Sequence, residues 1–438
     1  MYMCPIQVRE DMSILKDISE LLKSDTISEE TAEKIKDFYK QKGGQSQNRL
    51  FVIFGILGAI LVGLGLLLII AHNWDQFPKE WKTFFAFLPL LVGQALCFYT
   101  IVKKSDSIAM REGAAAFLFF AVGGSISIVA QIYNIAGDLS GFLFVWMILC
   151  LPLVYLMQSS VVSLLYLIGI TYYAGETCYW TYPSTEDYFY WLLLLLALPH
   201  YYNLYKKGPE SNFMILHNWF IPLSITIALG TVAKSNEEFL FIAYMSLFGL
   251  FYLIGNLTFF EQKRGKSNGY LAFGSAGTIA ILLALSFDWF WENLQKENFL
   301  FSQVVTSPEI IASILFTLLA SFVFILNRRV KSFIDYQPVD YIFMLFILIF
   351  IIGLYSHIAV FLVSIVILLI GVLTVRRGAK ENHFGILNYG LLIIMALSVC
   401  KFFDTDLSFV TRGLLFVTAG MGFFVANYRM LRKRNENE

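Results

Sequence analysis

Charge is scarce in this chain. Only 15% of its 438 residues are Asp, Glu, Lys or Arg, where a soluble domain carries about 25%. Acids and bases cancel to a formal net charge of zero, so nothing in the balance points to nucleic acid. Cysteine is also sparse. The five (Cys4, Cys97, Cys150, Cys178, Cys400) have no metal or redox spacing, fall mostly inside apolar runs and read as small buried side chains. There is no P-loop, no G-x-S-x-G, no H-E-x-x-H and no C-x-x-C, which removes the sequence grounds for the chemistries those motifs serve. "FGSAGTIA" at 273–280 lies inside an apolar run and reads as a packing stripe. The start, MYMCPIQVREDM, lacks the basic stretch and apolar core of a signal peptide, so the first apolar span is expected to serve as the insertion signal.

What is abundant is apolar length. The chain is 58% hydrophobic, and runs of 18 or more apolar residues recur along it. A run of that length suits an α-helix that crosses a bilayer. Fourteen spans are expected, at 50–71, 82–102, 113–135, 141–157, 160–175, 188–205, 213–233, 239–260, 269–287, 309–327, 339–355, 357–375, 384–402 and 408–428. Two of the divisions rest on length. As one helix, 339–375 would be about 55 Å long, against a hydrocarbon core of about 30 Å. A break at "YSH" solves this, and a break at "QSS" divides 141–175 likewise. The expected fold class is all-α, a polytopic transmembrane bundle of about 14 spans.

Residues 1–49 differ from the rest. They are charged and helix-prone, and a short cytoplasmic helical hairpin is expected there, with "GGQSQN" as its linker. Ile14, Ile18, Leu21 and Leu22 give its first helix an apolar face. Thr26 and Glu29 have the spacing of a capping box, which would start the second helix at Ile27. The chain thus divides into the hairpin and linker (1–49), the transmembrane domain (50–430) and a basic, polar tail (431–438).

Positive charge orients the bundle. With the N-terminus inside, 26 of the 32 Lys and Arg fall on inner segments; the other 6 are Lys79, Lys82, Lys234, Lys296, Lys401 and Arg412. Lys and Arg bias sets topology, so both termini are expected in the cytoplasm. The outer loops are short, acidic and aromatic, as an interfacial belt would be. The longest runs from Asp288 to Glu309. Its Trp289, Phe290, Trp291, Phe299, Leu300 and Phe301 suggest a segment lying on the membrane surface.

The stretches "LLKSDTISEETAEKIKDFY", "HNWDQFP" and "AQIYNIAGDLSGFLFVWMILCLPLVYLMQSS" resemble a bacterial family of predicted multi-spanning membrane proteins, the domain of unknown function 2157. The resemblance covers roughly residues 14–170. It implies a bacterial inner-membrane location and no particular reaction.

Two polar clusters stand out at outer ends. His72, Asn73, Trp74 and Asp75 end a span rich in glycine (Gly55, Gly58, Gly63, Gly65), which suits an inner helix. His changes charge near neutral pH, and Asp accepts a proton or cation. The plainer reading has Trp74 as an interface anchor and Asn73 and Asp75 as turn caps. Gln131, Asn134 and Asp138 follow the third span; Gln131 and Asn134, three apart, would share a helix face. The plainer reading is a Gly-Asp turn at a membrane exit. The two clusters together define a candidate outward-facing polar pocket of spans 1–4: His72, Asn73, Asp75, Gln131, Asn134 and Asp138. Glu176 and Arg412 are weaker candidates, read respectively as a solvated loop acid and a snorkelling base. Gln94, Asn256 and Asn388 lie within spans, where amides most often bond between helices.

No catalytic, cofactor-binding or metal-binding residue is assigned, and no cofactor is expected. The residues favour a non-enzymatic reading. A transporter or flippase with a small-molecule or lipid-linked ligand ranks first. Next is a sensor or assembly protein whose N-terminal hairpin meets a cytoplasmic protein partner. Last is a transferase acting on lipid-linked substrate. Membrane lipids are the expected surroundings in each, and nucleic acid is not an expected partner.

Overall fold

The computed structural model describes residues 77–180, 188–234, 236–257, 268–296, 306–328 and 337–403, with 18, 21–22, 27–35, 54, 57–58, 61–62 and positions between 408 and 424. Among these residues there is no strand. The α-helices are α1 (Lys79–Lys103), α2 (Ile108–Ile132), α3 (Leu139–Leu156), α4 (Ser160–Cys178), α5 (Phe189–Lys207), α6 (Asn212–Leu229), α7 (Leu240–Gly255), α8 (Gly269–Ala284), α9 (Asp288–Lys296), α10 (Pro308–Arg328), α11 (Pro338–Gly353), α12 (Ile358–Lys380) and α13 (Phe384–Phe402). Among the described residues, nine helices are long and apolar enough to cross a membrane; α8 and α11 are apolar but shorter. Each of the twelve middle spans read from the sequence has one helix. The first and last spans fall mostly outside the described residues.

Both divisions made on length are present. α3 ends at Leu156 and α4 begins at Ser160, with Gln158 in the left-handed region at φ 47°. α11 ends at Gly353 and α12 begins at Ile358. A bilayer is a ruler of fixed length, so a run too long for it must fold back.

The helix starting near residue 28 corrects an expected cap. Ser28, not Thr26, stands at its N-cap. The Ser28 hydroxyl accepts from the Thr31 amide at 3.3 Å, and the Ser28 carbonyl accepts from the Ala32 amide at 2.9 Å. Serine caps at least as well as threonine, and here it directly precedes the acidic Glu29 and Glu30, which suit a first turn. Ile18 and Ala32 are buried, whereas Leu21 is exposed.

The chain forms two compact units. The first comprises Met1–Thr177 and Glu186–Met214. Within it α2 packs on α1 and on α3, and α3 packs on α5. The α1–α2 contact uses small residues: Gly93 meets Leu118, and the Ser125 hydroxyl donates to the Ala86 carbonyl at 2.6 Å. The second unit comprises Cys178–Thr185 and Ile215–Glu438. Its axis is α7, against which α8, α10 and α11 pack. Mid-helix polar groups there pair with one another: Ser246 with Thr317 at 2.7 Å, and Ser275 with Tyr389 at 2.7 Å.

Polar side chains tie the helix ends of the second unit together. At one end of the second unit the Asn268 amide donates to the Gly255 carbonyl and that of Asn327 to the Leu253 carbonyl, and the Tyr252 hydroxyl donates to Gln337. The basic segments lie beside these positions in the chain. The opposite end carries the acidic, aromatic turns. There α9 is folded onto the bundle, which corrects the expectation of a segment laid in the membrane surface. Phe290, Trp291 and Leu294 are buried and only Trp289 of its aromatic residues is exposed. The Trp291 indole donates to the Leu285 carbonyl at 2.9 Å, and the Gln295 amide donates to the Gly353 carbonyl at 2.8 Å. Phe299, Leu300 and Phe301 lie outside the described residues.

Candidate functional site

Of the expected pocket residues, His72, Asn73 and Asp75 lie outside the described residues, as does Arg412. The other three follow one another from the end of α2, through the turn, to the start of α3. Gln131 is in the last turn of α2 and exposed. The helix stops at Ile132, so Asn134 does not share a helix face with it. Asn134 takes φ 47°, a left-handed conformation that asparagine tolerates better than most residues. Asp138 is the N-cap of α3: its carboxylate accepts from the Gly141 amide at 3.2 Å and from the Ser140 hydroxyl.

These two donors hold the Asp138 carboxyl below the usual carboxylate range. A carboxyl whose pKa is lower folded than unfolded stabilises the fold above its ordinary value. That contribution is lost as pH falls through the folded value. Asparagine caps almost as well as aspartate but does not titrate. Wild type should therefore lose stability relative to Asp138→Asn only in strong acid, on thermal melts of the detergent-solubilised protein between pH 7 and pH 2. A parallel pH response of the two proteins would show that the cap carries no charge effect.

Glu176 belongs to the last turn of α4 and is half-buried, so it is a helical residue and not a solvated loop acid.

Sequence reasoning missed the best-built polar site, at Glu112. This side chain projects from the second turn of α2 and is 3% exposed. Its carboxylate accepts from the Ser160 amide and the Val161 amide, each at 3.0 Å, and from the Ser159 hydroxyl. The Ser159 hydroxyl oxygen in turn accepts from the Val162 amide at 3.2 Å. The first amides of a helix have no partner within it, and the helix dipole puts partial positive charge there. Glu112 supplies the missing acceptor for α4 from another helix. The same turn is stitched to α5, because the Lys207 ammonium donates to the Gln158 side chain at 2.6 Å.

Two more buried carboxylates serve helix ends in the second unit. Glu309, in the first turn of α10, accepts from the Lys234 and Asn236 amides at 2.6 and 3.2 Å. Asp340 accepts from the Gln337 amide at 2.7 Å and closes a capping box at the start of α11. Each of the three therefore faces backbone donors. At the acidic end, three segments meet around the start of α9. His357 Nδ1 is 3.5 Å from Asp288 Oδ1, and the Lys401 ammonium donates to the Ser286 carbonyl.

Apolar helices of membrane-spanning length, with interhelical polar pairs between them and no carboxylate in the middle of any of them among the described residues, define a polytopic α-helical membrane protein. Its residues 19–163 match the family model described as predicted membrane protein (DUF2157), a family of unknown function. The match begins in the N-terminal helical segment and ends just past the turn that Glu112 clasps. Neither a curated protein nor a solved structure matches the chain.

Proposed function

We propose that this chain is a sensor or assembly protein of the bacterial inner membrane, with the N-terminal helical segment as its cytoplasmic output. The observation that carries this reading is the helix at residues 29–35. Glu29, Glu30, Glu33 and Lys34 are all exposed on it, while Ala32 and Ile18 are buried. Such a segment is docked on one face and free for a cytoplasmic protein on the other, and it lies inside the region the family model matches. The charge bias supports a cytoplasmic location for both termini. The buried carboxylates give this reading further support. Ion-coupled transporters commonly keep an ionisable group near mid-membrane, whereas Glu112, Glu309 and Asp340 hold helix ends.

The transporter- or flippase-like reading keeps one specific observation, the exposed outer turn that carries Gln131, Asn134 and Asp138 together. One complementation experiment separates the two. A strain deleted for the gene is supplied with the full chain, with the chain lacking residues 1–45, or with Asp138→Asn, at matched membrane levels. Output through the hairpin is expected to leave the truncated chain inactive and Asp138→Asn active. The reverse pattern would replace this reading with the outward pocket.

A further inference from the structure

We propose that Arg111 anchors a phospholipid site, holding the phosphate of an acidic membrane lipid at the end of the first unit where α1 turns into α2.

Arg111 is a charge that the protein leaves unpaired. Its Nε is buried and has no hydrogen-bond partner, and its guanidinium makes no hydrogen bond or ion pair among the described residues. A guanidinium stays protonated in proteins and offers five N–H donors. Burying any of them without an acceptor is costly. The adjacent acid does not serve it. Glu112 is turned to the Ser159 hydroxyl and to the Ser160 and Val161 amides. The next acid along the chain, Asp106, is exposed and accepts from the Ser105 hydroxyl at 3.3 Å. Arg111 does not serve its own helix either. It follows the N-cap Ser107 by one turn, in a helix with no acid in its first turn, and a base near that end opposes the helix dipole. What the guanidinium lacks is an anion from outside the chain.

The surroundings select the kind of anion. The Lys104 carbonyl accepts from the Ser107 amide, and the Ser107 carbonyl from the Arg111 amide, each at 3.0 Å. Arg111 therefore stands one helical turn from the exposed Lys103 and Lys104. Lys207 reaches the α3–α4 turn that Glu112 clasps, bonding to Gln158 there, and an ammonium has further donors to offer. Beside these charges the surface is apolar: Ile101, Val102 and Ile108 are all exposed. A ligand that suits both features is anionic at one end and hydrocarbon along its length. A soluble phosphate meets only the first condition, whereas a phospholipid of net negative charge meets both. Its phosphate lies just beyond the hydrocarbon core, at the level of helix ends. Arginine grips a phosphate through two parallel hydrogen bonds, where lysine acts as a point charge. Basic pockets between membrane helices recognise acidic headgroups in this way.

The test uses the full chain, stripped of lipid in a neutral maltoside detergent, with phosphatidylglycerol, phosphatidylcholine or inorganic phosphate added back. Native mass spectrometry counts bound lipid, and thermal melting follows its effect on the fold. Phosphatidylglycerol should bind wild type and raise its melting temperature. Phosphatidylcholine, which has the same phosphate but no net charge, and inorganic phosphate at the same concentration should do neither. Arg111→Gln should bind phosphatidylglycerol about ten- to a hundredfold more weakly, the range for one charge-assisted hydrogen bond. Arg111→Lys should fall between the two. Arg377→Gln, which removes a base already paired with Glu381 at 2.6 Å, should bind as wild type does. Without lipid, Arg111→Gln should melt no lower than wild type, because it removes an unpaired charge. Equal binding of the two lipids, or inorganic phosphate as effective as phosphatidylglycerol, would overturn the proposal. So would an equal loss of binding in Arg111→Gln and Arg377→Gln, or an Arg111→Gln protein less stable than wild type in the absence of lipid.

Discussion

Glu112→Leu is expected to destabilise the protein by about 3 kcal/mol, the largest effect of any single side chain in the first unit. The substitution removes a carboxylate that accepts two backbone amides and a hydroxyl. A buried donor left without an acceptor costs about 1–3 kcal/mol, and three are orphaned at once. They sit at a helix end near the membrane surface, where water reaches some of them, so the total stays below the simple sum. Glu112→Gln should do little better. The glutamine carbonyl accepts from one or two of the donors, but its NH2 group points a donor at the third. The conservative change therefore behaves as a break, which a purely steric role for the side chain would not produce. Removing one orphan should recover part of the loss, so Ser159→Ala should cost less in the Glu112→Leu background than in wild type. Reversible unfolding in mixed micelles gives the free energies. Hydrogen exchange at the Ser160 and Val161 amides reports on the clasp itself, and unchanged protection there in Glu112→Leu would end this account.

That clasp also marks where sequence reading stops. Spans are legible because the bilayer sets their length and excludes charge along it, so both "YSH" and "QSS" were found as breaks. Glu112 was invisible for a different reason. It stands beside Arg111 at one end of a span, where an acid looks like an ordinary interface residue. Its partners are 47 to 49 positions further along the chain, and no local pattern encodes them. "QSS" does hold a clue in hindsight: two serines at a tight turn leave helix amides open, and a nearby acid is a natural acceptor. The amphipathic pattern of α9 misled in another way. Its apolar stripe is the same whether it meets lipid or protein, and only the fold shows Trp291 seated against Gly353. Asn134 was placed on a helix face because spacing alone does not show where a helix ends.

The glycines offer the second large effect, and one whose sign depends on position. Gly274 of α8 faces the backbone of α7. A Cβ there would stand 2.4 Å from the Tyr252 nitrogen, 2.7 Å from its Cα and 2.8 Å from the Phe248 carbonyl oxygen. Backbone atoms of a packed helix do not rotate away as a side chain does, so α7 and α8 must separate. α7 is the most buried of the membrane-length helices, with 78% of its window covered, and it touches α10 and α11 as well, so the displacement spreads. Gly274→Ala is expected to cost about 1–3 kcal/mol, the range for overpacking a tight core, and Gly274→Leu to prevent the second unit from assembling. Gly124 of α2 looks similar in the sequence, but its Cβ would meet nothing within 4 Å. There Gly124→Ala should be neutral or stabilise by about 0.5 kcal/mol, because glycine in mid-helix costs conformational entropy. Composition and hydropathy are nearly identical for the two variants, so a difference between them isolates packing. Melting of both in the same detergent, followed by the fraction that remains monodisperse on size exclusion, tests this. Equal melting temperatures for Gly274→Ala and Gly124→Ala would mean that the α7–α8 contact is not as close as described.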